Sequence, residues 1–372
     1  MKMIRRLLTS AAALALLAGA AQSRELIFGS WLSATNATNT VAMEPYFAAL
    51  KEATGGEIDW KMVPGAQLAN GPGTPDAVKS NLIDGGITMA PYVPKMLPSM
   101  NMIFSQSLIG DDMLAATAAM NDVLMLGCPQ CREEFEHANA VGFGGYSVSP
   151  YLLMCRGTPQ GLADVKGLKV RASGGGVGIM TLAGATPVAM PPNEATTAIE
   201  RGALDCVLGS VQWLRSFGYM DVVDTVLDAP LGMGGPPVLM YVNRDVWEEF
   251  TPEQRRLHID LMVDVVVRET FDAQMAEDAD VIAAAKEKGI TFVDAAADFA
   301  PVMAERDTQQ YAENVANAKA ARVENPEAVL DYYLASYAKW QKIIAEEVGQ
   351  DREKFRAALK REIFDKVDPE AL

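Results

Sequence analysis

The chain has 372 residues, 49% apolar and 22% charged, the balance of a folded, core-forming protein with room for two domains. Its 48 acidic against 32 basic residues give a formal charge of −16, so a phosphate-coated partner such as DNA or RNA would be repelled. Two histidines, His137 and His258, leave little material for a His-rich metal site or a histidine-based triad, and the sequence calls for no metal and no cofactor.

Lys2, Arg5 and Arg6 precede the apolar run Leu7–Ala20, and small residues lead to Ser23. This is the pattern of a secretory signal peptide over residues 1–23, cleaved near Ser23, and its core is shorter than the ~20 residues a bilayer span needs. No cysteine near the cut offers a lipid attachment point, so the expectation is a free, soluble, periplasmic protein. Removal of 1–23 takes away three basic and no acidic residues, leaving 29 basic against 48 acidic and a charge of −19.

Strands and helices then alternate. Glu25–Gly29 reads as a strand, Thr40–Ala53 as a helix with Met43, Phe47 and Leu50 on one face, and Ile58, Trp60 and Met62 as the apolar face of a strand. Thr74-Pro75 opens a second helix that Gly85 closes before a strand at Ile87–Ala90. The order recurs at Leu168–Ala172 (strand), Gly176–Ala183 (helix), Pro187–Met190 (strand), a helix capped by Asn193, and Leu204–Leu208 (strand). Two such units imply two parallel sheets flanked by helices. Tyr151–Cys155 and Val238–Val242, each beside proline, are strand-like passages placed to carry the chain between lobes. From Pro252 onward the pattern is almost wholly helical, and Tyr332, Tyr333, Tyr337 and Trp340 fall at helical spacing as the buried face of a helix packed across the body. The fold class is therefore α/β in two lobes, residues 24–150 with 237–280 and residues 151–236 with 281–372, the C-terminal helices packing across both.

The four cysteines, Cys128, Cys131, Cys155 and Cys206, are an even number in an exported chain, where thiols are oxidised. Cys128-Pro-Gln-Cys131 has redox-motif spacing, but a helical pattern, Asp111–Leu126, stands where a thioredoxin-like site needs a strand, which favours a structural clip. Cys155 and Cys206 would bridge if their strands are neighbours.

Parallel sheets hold ligands beyond the carboxyl ends of their strands, and two facing lobes place them in the cleft between. That rule selects Arg171 and the run from Ser173 through Gly174 to Gly178: a guanidinium that grips a carboxylate by paired hydrogen bonds, beside backbone N–H groups that favour an anion. The dinucleotide fingerprint fails because Ile179 stands where its last glycine belongs, and no Gly-Lys-Ser or Gly-Lys-Thr makes a P-loop. Ser147 and Ser149 lack a nucleophile elbow. Position after the first-lobe strands adds Trp31, Asn36 and Tyr92.

The mature chain resembles the solute-binding receptors of TRAP (tripartite ATP-independent periplasmic) transporters over roughly residues 26–300. The likeness is carried by Pro64–Leu68, Tyr92–Pro98, Asp164–Arg171, Gly184–Val188, Met190-Pro191 with Glu194, Gly202–Asp205, Asn243–Trp247 and Thr251–Glu253. It implies a two-lobe receptor, not an enzyme, that closes on a small organic acid held by the arginine matching Arg171 and delivers it to integral-membrane transporter subunits. Two departures stand out. Tyr146 lies where a second arginine is common, and Val207–Ser210 replaces a polar stretch, leaving Trp213 and Tyr92 as apolar walls suited to a monocarboxylate with a less polar body. The alternative from another class is a periplasmic thiol–disulfide oxidoreductase using Cys128 and Cys131.

Overall fold

The computed structural model describes residues 24–372, so the segment read as a signal peptide lies outside the described residues. Its eleven strands are β1 (Glu25–Gly29), β2 (Asp59–Val63), β3 (Gly85–Thr88), β4 (Ala140–Phe143), β5 (Leu152–Cys155), β6 (Lys169–Arg171), β7 (Thr186–Val188), β8 (Cys206–Gly209), β9 (Thr225–Asp228), β10 (Val238–Asn243) and β11 (Thr291–Asp294). They form two sheets, ordered β2-β1-β3-β10-β4 and β11-β9-β5-β8-β6-β7.

Each sheet is parallel except for one strand. β10 runs antiparallel to both β3 and β4, and β5 antiparallel to both β8 and β9. These are the two passages read as lobe crossings, and the physical reason is shared: a strand entering a sheet from the other lobe arrives at the opposite end from a strand returning through a helix. The connectors ahead of them, residues 144–151 and 229–237, are tied together by Val148 N–H to the Gly234 carbonyl (3.0 Å), Tyr151 N–H to Gly232 (2.8 Å) and Leu231 N–H to Tyr151 (2.9 Å).

Two local readings are corrected. The strand expected at Ile87–Ala90 begins at Gly85, because Gly85 and Gly86 do not end a helix but make room in the sheet. A Cβ on Gly86 would lie 2.8 Å from the Gly29 carbonyl, and one on Gly85 would lie 3.2 Å from the Trp60 ring. The helix expected to be capped by Asn193 starts at Pro192 with Pro191 as its N-cap, the first turn being set by proline geometry rather than by a side-chain cap.

The first sheet buries Phe28, Trp60, Ile87 and Tyr241 in one large core. The second sheet is covered on both faces: alternation sends Leu153, Cys155 and Leu208 to one core and Leu152, Met154 and Val207 to the other. A continuous helical stretch from Pro252 to Glu287 serves both lobes, Ile259, Met262 and Val266 entering the first core and Val281 and Ala285 the second sheet's. Its middle, Glu269–Met275, is wound as a π-helix. Phe299 and Val302 pack on the second sheet, whereas Ala318 through Leu372, including Tyr333, Tyr337 and Trp340, bury in the first core. No helix of the described residues is long and apolar enough to cross a membrane.

β5 and β8 are neighbours, Cys155 stands opposite Cys206, and the two are bonded; Cys128 and Cys131 form the second disulfide. The bridges close loops of very different length, with sequence separations of 51 and 3. In the chain-entropy account, the Cys155→Ser, Cys206→Ser pair should therefore cost about 4 kcal/mol and the Cys128→Ser, Cys131→Ser pair about 1–2 kcal/mol. Denaturant unfolding of the two double variants checks this, and equal losses would contradict it.

His258 is packed among Phe250, Trp247, Tyr46 and Phe143 with ring centroids 4.7–6.5 Å away. Trp60 Nε1–H donates to its Nε2 (3.3 Å), so Nδ1 carries the proton and donates to the Gln254 carbonyl (2.8 Å). Burial pushes its pKa down to about 4, against the bond to Gln254, which raises it. An unfolded histidine titrates near ~6.5, so this contribution to stability is complete above that pH and is lost as pH falls toward 4, about 3 kcal/mol in all. Buried Glu134, Glu269 and Asp278, all raised by burial, act with the opposite sign in the same window. The measurement is therefore a difference: between pH 7 and pH 4 the native protein should lose about 3 kcal/mol more than His258→Gln. Superimposable pH–stability curves would show that His258 is not buried neutral.

Candidate functional site

The carboxyl ends of parallel strands from both sheets meet at one gap. Trp31 follows β1, Met89 and Tyr92 follow β3, and Tyr146 follows β4; from the other sheet come Arg171 at the end of β6, then Ser173, and Gln212 and Trp213 after β8. With Tyr151, Phe217 and Gln274 these residues line a cavity of about 640 Å³ of space between atoms, counted out to its mouth.

Two aromatic groups line it. Trp31 and Tyr92 pack edge-to-face at 5.7 Å on the first lobe, and Trp31 is anchored by its indole N–H to the Ile87 carbonyl (3.1 Å). Tyr151, Trp213 and Phe217 form the second wall, with centroids 5.4 and 5.5 Å apart. Glycines make the space for both. A Cβ on Gly71 would come within 3.0 Å of Tyr92, and one on Gly209 within 2.0 Å of the Trp213 ring.

Arg171 is 1% exposed. Its Nε donates to the Met190 carbonyl (2.8 Å), Nη1 to the Leu208 carbonyl (3.4 Å) and Nη2 to the Ser173 hydroxyl (3.2 Å), and its guanidinium stands 5.3 Å from the Trp213 ring centroid. Every one of these partners is neutral. The other deeply buried arginine, Arg306, is paired with Glu313. An isolated buried cation is costly unless a partner neutralises it. The Arg171 charge is felt by its neighbours: Tyr92 is pushed up to about 12 by burial, with Arg171 pulling it back, and the phenols of Tyr151 and Tyr219 are raised by burial and lowered by Arg171 in the same way.

A family model for bacterial extracellular solute-binding proteins, family 7, matches residues 28–318. The chain belongs to that family. Among solved structures it is similar to a TRAP solute-binding protein of Rhodoferax ferrireducens in complex with copurified benzoate, at 18% identity over 86% of this chain and 99% of that one, with TM-score 0.76. A TRAP periplasmic solute-binding protein of Bordetella bronchiseptica with bound (R)- and (S)-mandelate matches at 21% identity, 85% and 99% coverage and TM-score 0.72. One from Desulfovibrio salexigens, an open complex, matches at 21%, 88% and 98%, and 0.69. The family is one of binding proteins rather than enzymes. The thiol–disulfide alternative is not supported: Cys128 and Cys131 are bonded to each other and fully buried in the first core, out of reach of a substrate thiol.

In this solute-binding protein six of the seven residues singled out for a ligand line the one cavity: Trp31, Asn36, Tyr92, Tyr146, Arg171 and Trp213. Asn36 does so with its Oδ1 already accepting from Thr38 N–H (3.0 Å), which starts the helical run at 38. Gly174 is not among the lining residues. With φ +53° it packs on Phe104, whose ring a Cβ would meet at 2.6 Å, and Gly175 lies against the Ser105 carbonyl. The glycine run therefore lets the helix Pro98–Gln106 approach closely.

Ser173 lines the cavity as the strand-end rule placed it, whereas Tyr151, Gln212 and Gln274 were not anticipated. Gln212 was within reach of the strand-end rule carried two residues past Ser210. Gln274 was not, since it sits in the π-helical turn of a stretch that reads as ordinary helix. Gln212 donates to Gln274 Oε1, Gln274 Nε2 donates to Glu269 Oε1 (2.8 Å), and the Thr38 hydroxyl donates to the same oxygen (2.9 Å). Glu269 is fully buried, and burial raises its carboxyl to about 7, against these two hydrogen bonds, which lower it.

Gly209→Ala should push the Trp213 ring out of its place beneath Arg171 and the cavity. The expected outcome is a weakening of ligand affinity by tenfold or more and a changed Trp emission, with the fold retained by circular dichroism. Native affinity and emission together would show that the contact is soft.

Proposed function

We propose that the protein is an exported receptor that takes a small monocarboxylate with an aromatic or otherwise apolar body into the inter-lobe cavity and presents it to the integral-membrane subunits of a TRAP transporter. The observation that carries this reading is the buried, unpaired guanidinium of Arg171, the single charged side chain among the residues lining the cavity. One cation fits one carboxylate, and the aromatic pairs Trp31 with Tyr92 and Trp213 with Tyr151 suit a flat apolar body. Benzoate and mandelate, held by two of the similar proteins, have this chemistry.

Residues of both lobes line the cavity, so ligand would favour the closed arrangement by the contacts that closure adds. The lobes would divide near residues 150 and 237, with the helices from Ala318 onward in the first, and turn about the paired connectors 144–151 and 229–237. Export would follow from the basic and apolar leader read over residues 1–23.

The test is Arg171→Met, which keeps the apolar stem and removes the charge. Calorimetric affinity for the tightest carboxylate in a thermal-shift screen should fall by ~2–5 kcal/mol, the range for removing one partner of a buried charge pair. The melting temperature of the unliganded variant should not fall, because an unpaired buried charge has been removed. Unchanged affinity would take Arg171 out of the binding site and the proposal with it.

A further inference from the structure

The relay behind the cavity fixes which atom it offers to a ligand. Glu269 Oε1 accepts from both the Thr38 hydroxyl and Gln274 Nε2, and an acceptor at that point requires the Gln274 amide to present its nitrogen. Its oxygen then faces Gln212, which must in turn present its own nitrogen. Gln212 Oε1 is left over, with no protein partner among the described residues, on a side chain 5% exposed that lines the cavity. Proton uptake by Glu269 does not reverse the chain, because the free oxygen, Oε2, has no hydrogen-bond partner and is where the proton would sit. The end of the cavity served by Gln212 and Gln274 thus offers a fixed acceptor with a carboxyl behind it and no cation.

From this relay we infer that the ligand carries, besides the carboxylate held by Arg171, an uncharged hydrogen-bond donor such as a hydroxyl or N–H that Gln212 Oε1 accepts. Glu269 and Gln274 are positioning residues that set the direction of the Gln212 amide. A second carboxylate is disfavoured at this end, where it would meet the Gln212 oxygen and a buried carboxyl, with only a spare amide N–H and the Tyr146 hydroxyl as donors and no cation to neutralise it. The inference rests on the carboxylate reading above and narrows it to donor-bearing monocarboxylates.

Titration calorimetry of the full mature protein tests it with matched sets: benzoate and phenylacetate, each with its hydroxy and methoxy derivatives at every ring position, and the corresponding benzenedicarboxylates. At least one hydroxy acid should bind about tenfold or more tighter than both its unsubstituted parent and its methyl ether, and the dicarboxylates should bind more weakly than any of them. Gln212→Met should bring that ratio close to one. Glu269→Leu should do the same by releasing the Gln274 amide, whereas Glu269→Gln, which can still offer an oxygen to Thr38 and Gln274, should keep it. A loss of packing alone would weaken all members of a set together and leave the ratio unmoved. If carboxylates bind but no hydroxy acid is preferred over its parent and its ether, the donor inference is overturned and the receptor reading stands. If no carboxylate binds at all, both fall.

Discussion

The structure depends on a positive charge that the chain itself does not neutralise. Arg171 sits at the end of a three-stranded parallel segment, holds two carbonyls and a hydroxyl, and forms no ion pair among the described residues. Such a group lowers the stability of the unliganded protein, which the proposed anionic ligand would offset. Around it the protein has placed aromatic rings rather than further charges. The net charge of the whole molecule is strongly negative and would work against an anionic ligand at long range, so the proposed recognition is local, through one cation in a low-dielectric pocket.

The topology explains why that pocket is shared. In each sheet the parallel strands point their carboxyl ends the same way, and the strand that runs against them is the one entering from the other lobe. The two reversed strands and their hydrogen-bonded connectors place the two sets of strand ends face to face. The long helix Pro252–Glu287 adds a third link, and its π-helical turn lies where the two lobes meet. A wider turn brings Gln274 to the cavity and buries Glu269 behind it, the use to which such irregular turns are often put. The polar relay therefore touches both lobes through Thr38 and Gln212, with its centre on the helix that spans them.

Several glycines carry meanings that a linear reading assigns otherwise. Gly85 looks like the end of a helix and is a position in a crowded sheet. Gly174 and Gly175 read as an anion cradle, and they also make room for Phe104 and Ser105 to pack against them. Gly209 follows an apolar strand without comment and is the space into which Trp213 folds. Glycine signals that something comes close; whether it is a turn, a neighbour's backbone or a ring depends on what the rest of the chain brings there.

Sequence by itself determined the alternation of strands and helices, the two-unit α/β class, the crossing strands, the helical C-terminal third and the arginine at the end of β6. These follow from periodicity, capping and the direction of parallel strands, which are local. The tertiary structure alone decided that β5 and β8 are neighbours and so which cysteines face each other, that the C-terminal helices return to the first core, and that Gln212, Gln274, Glu269 and Thr38 form one chain of hydrogen bonds. Those depend on residues 51 to 231 positions apart meeting in space. No periodicity in a single chain records such a meeting, because it is set by how whole lobes pack rather than by what adjacent residues prefer.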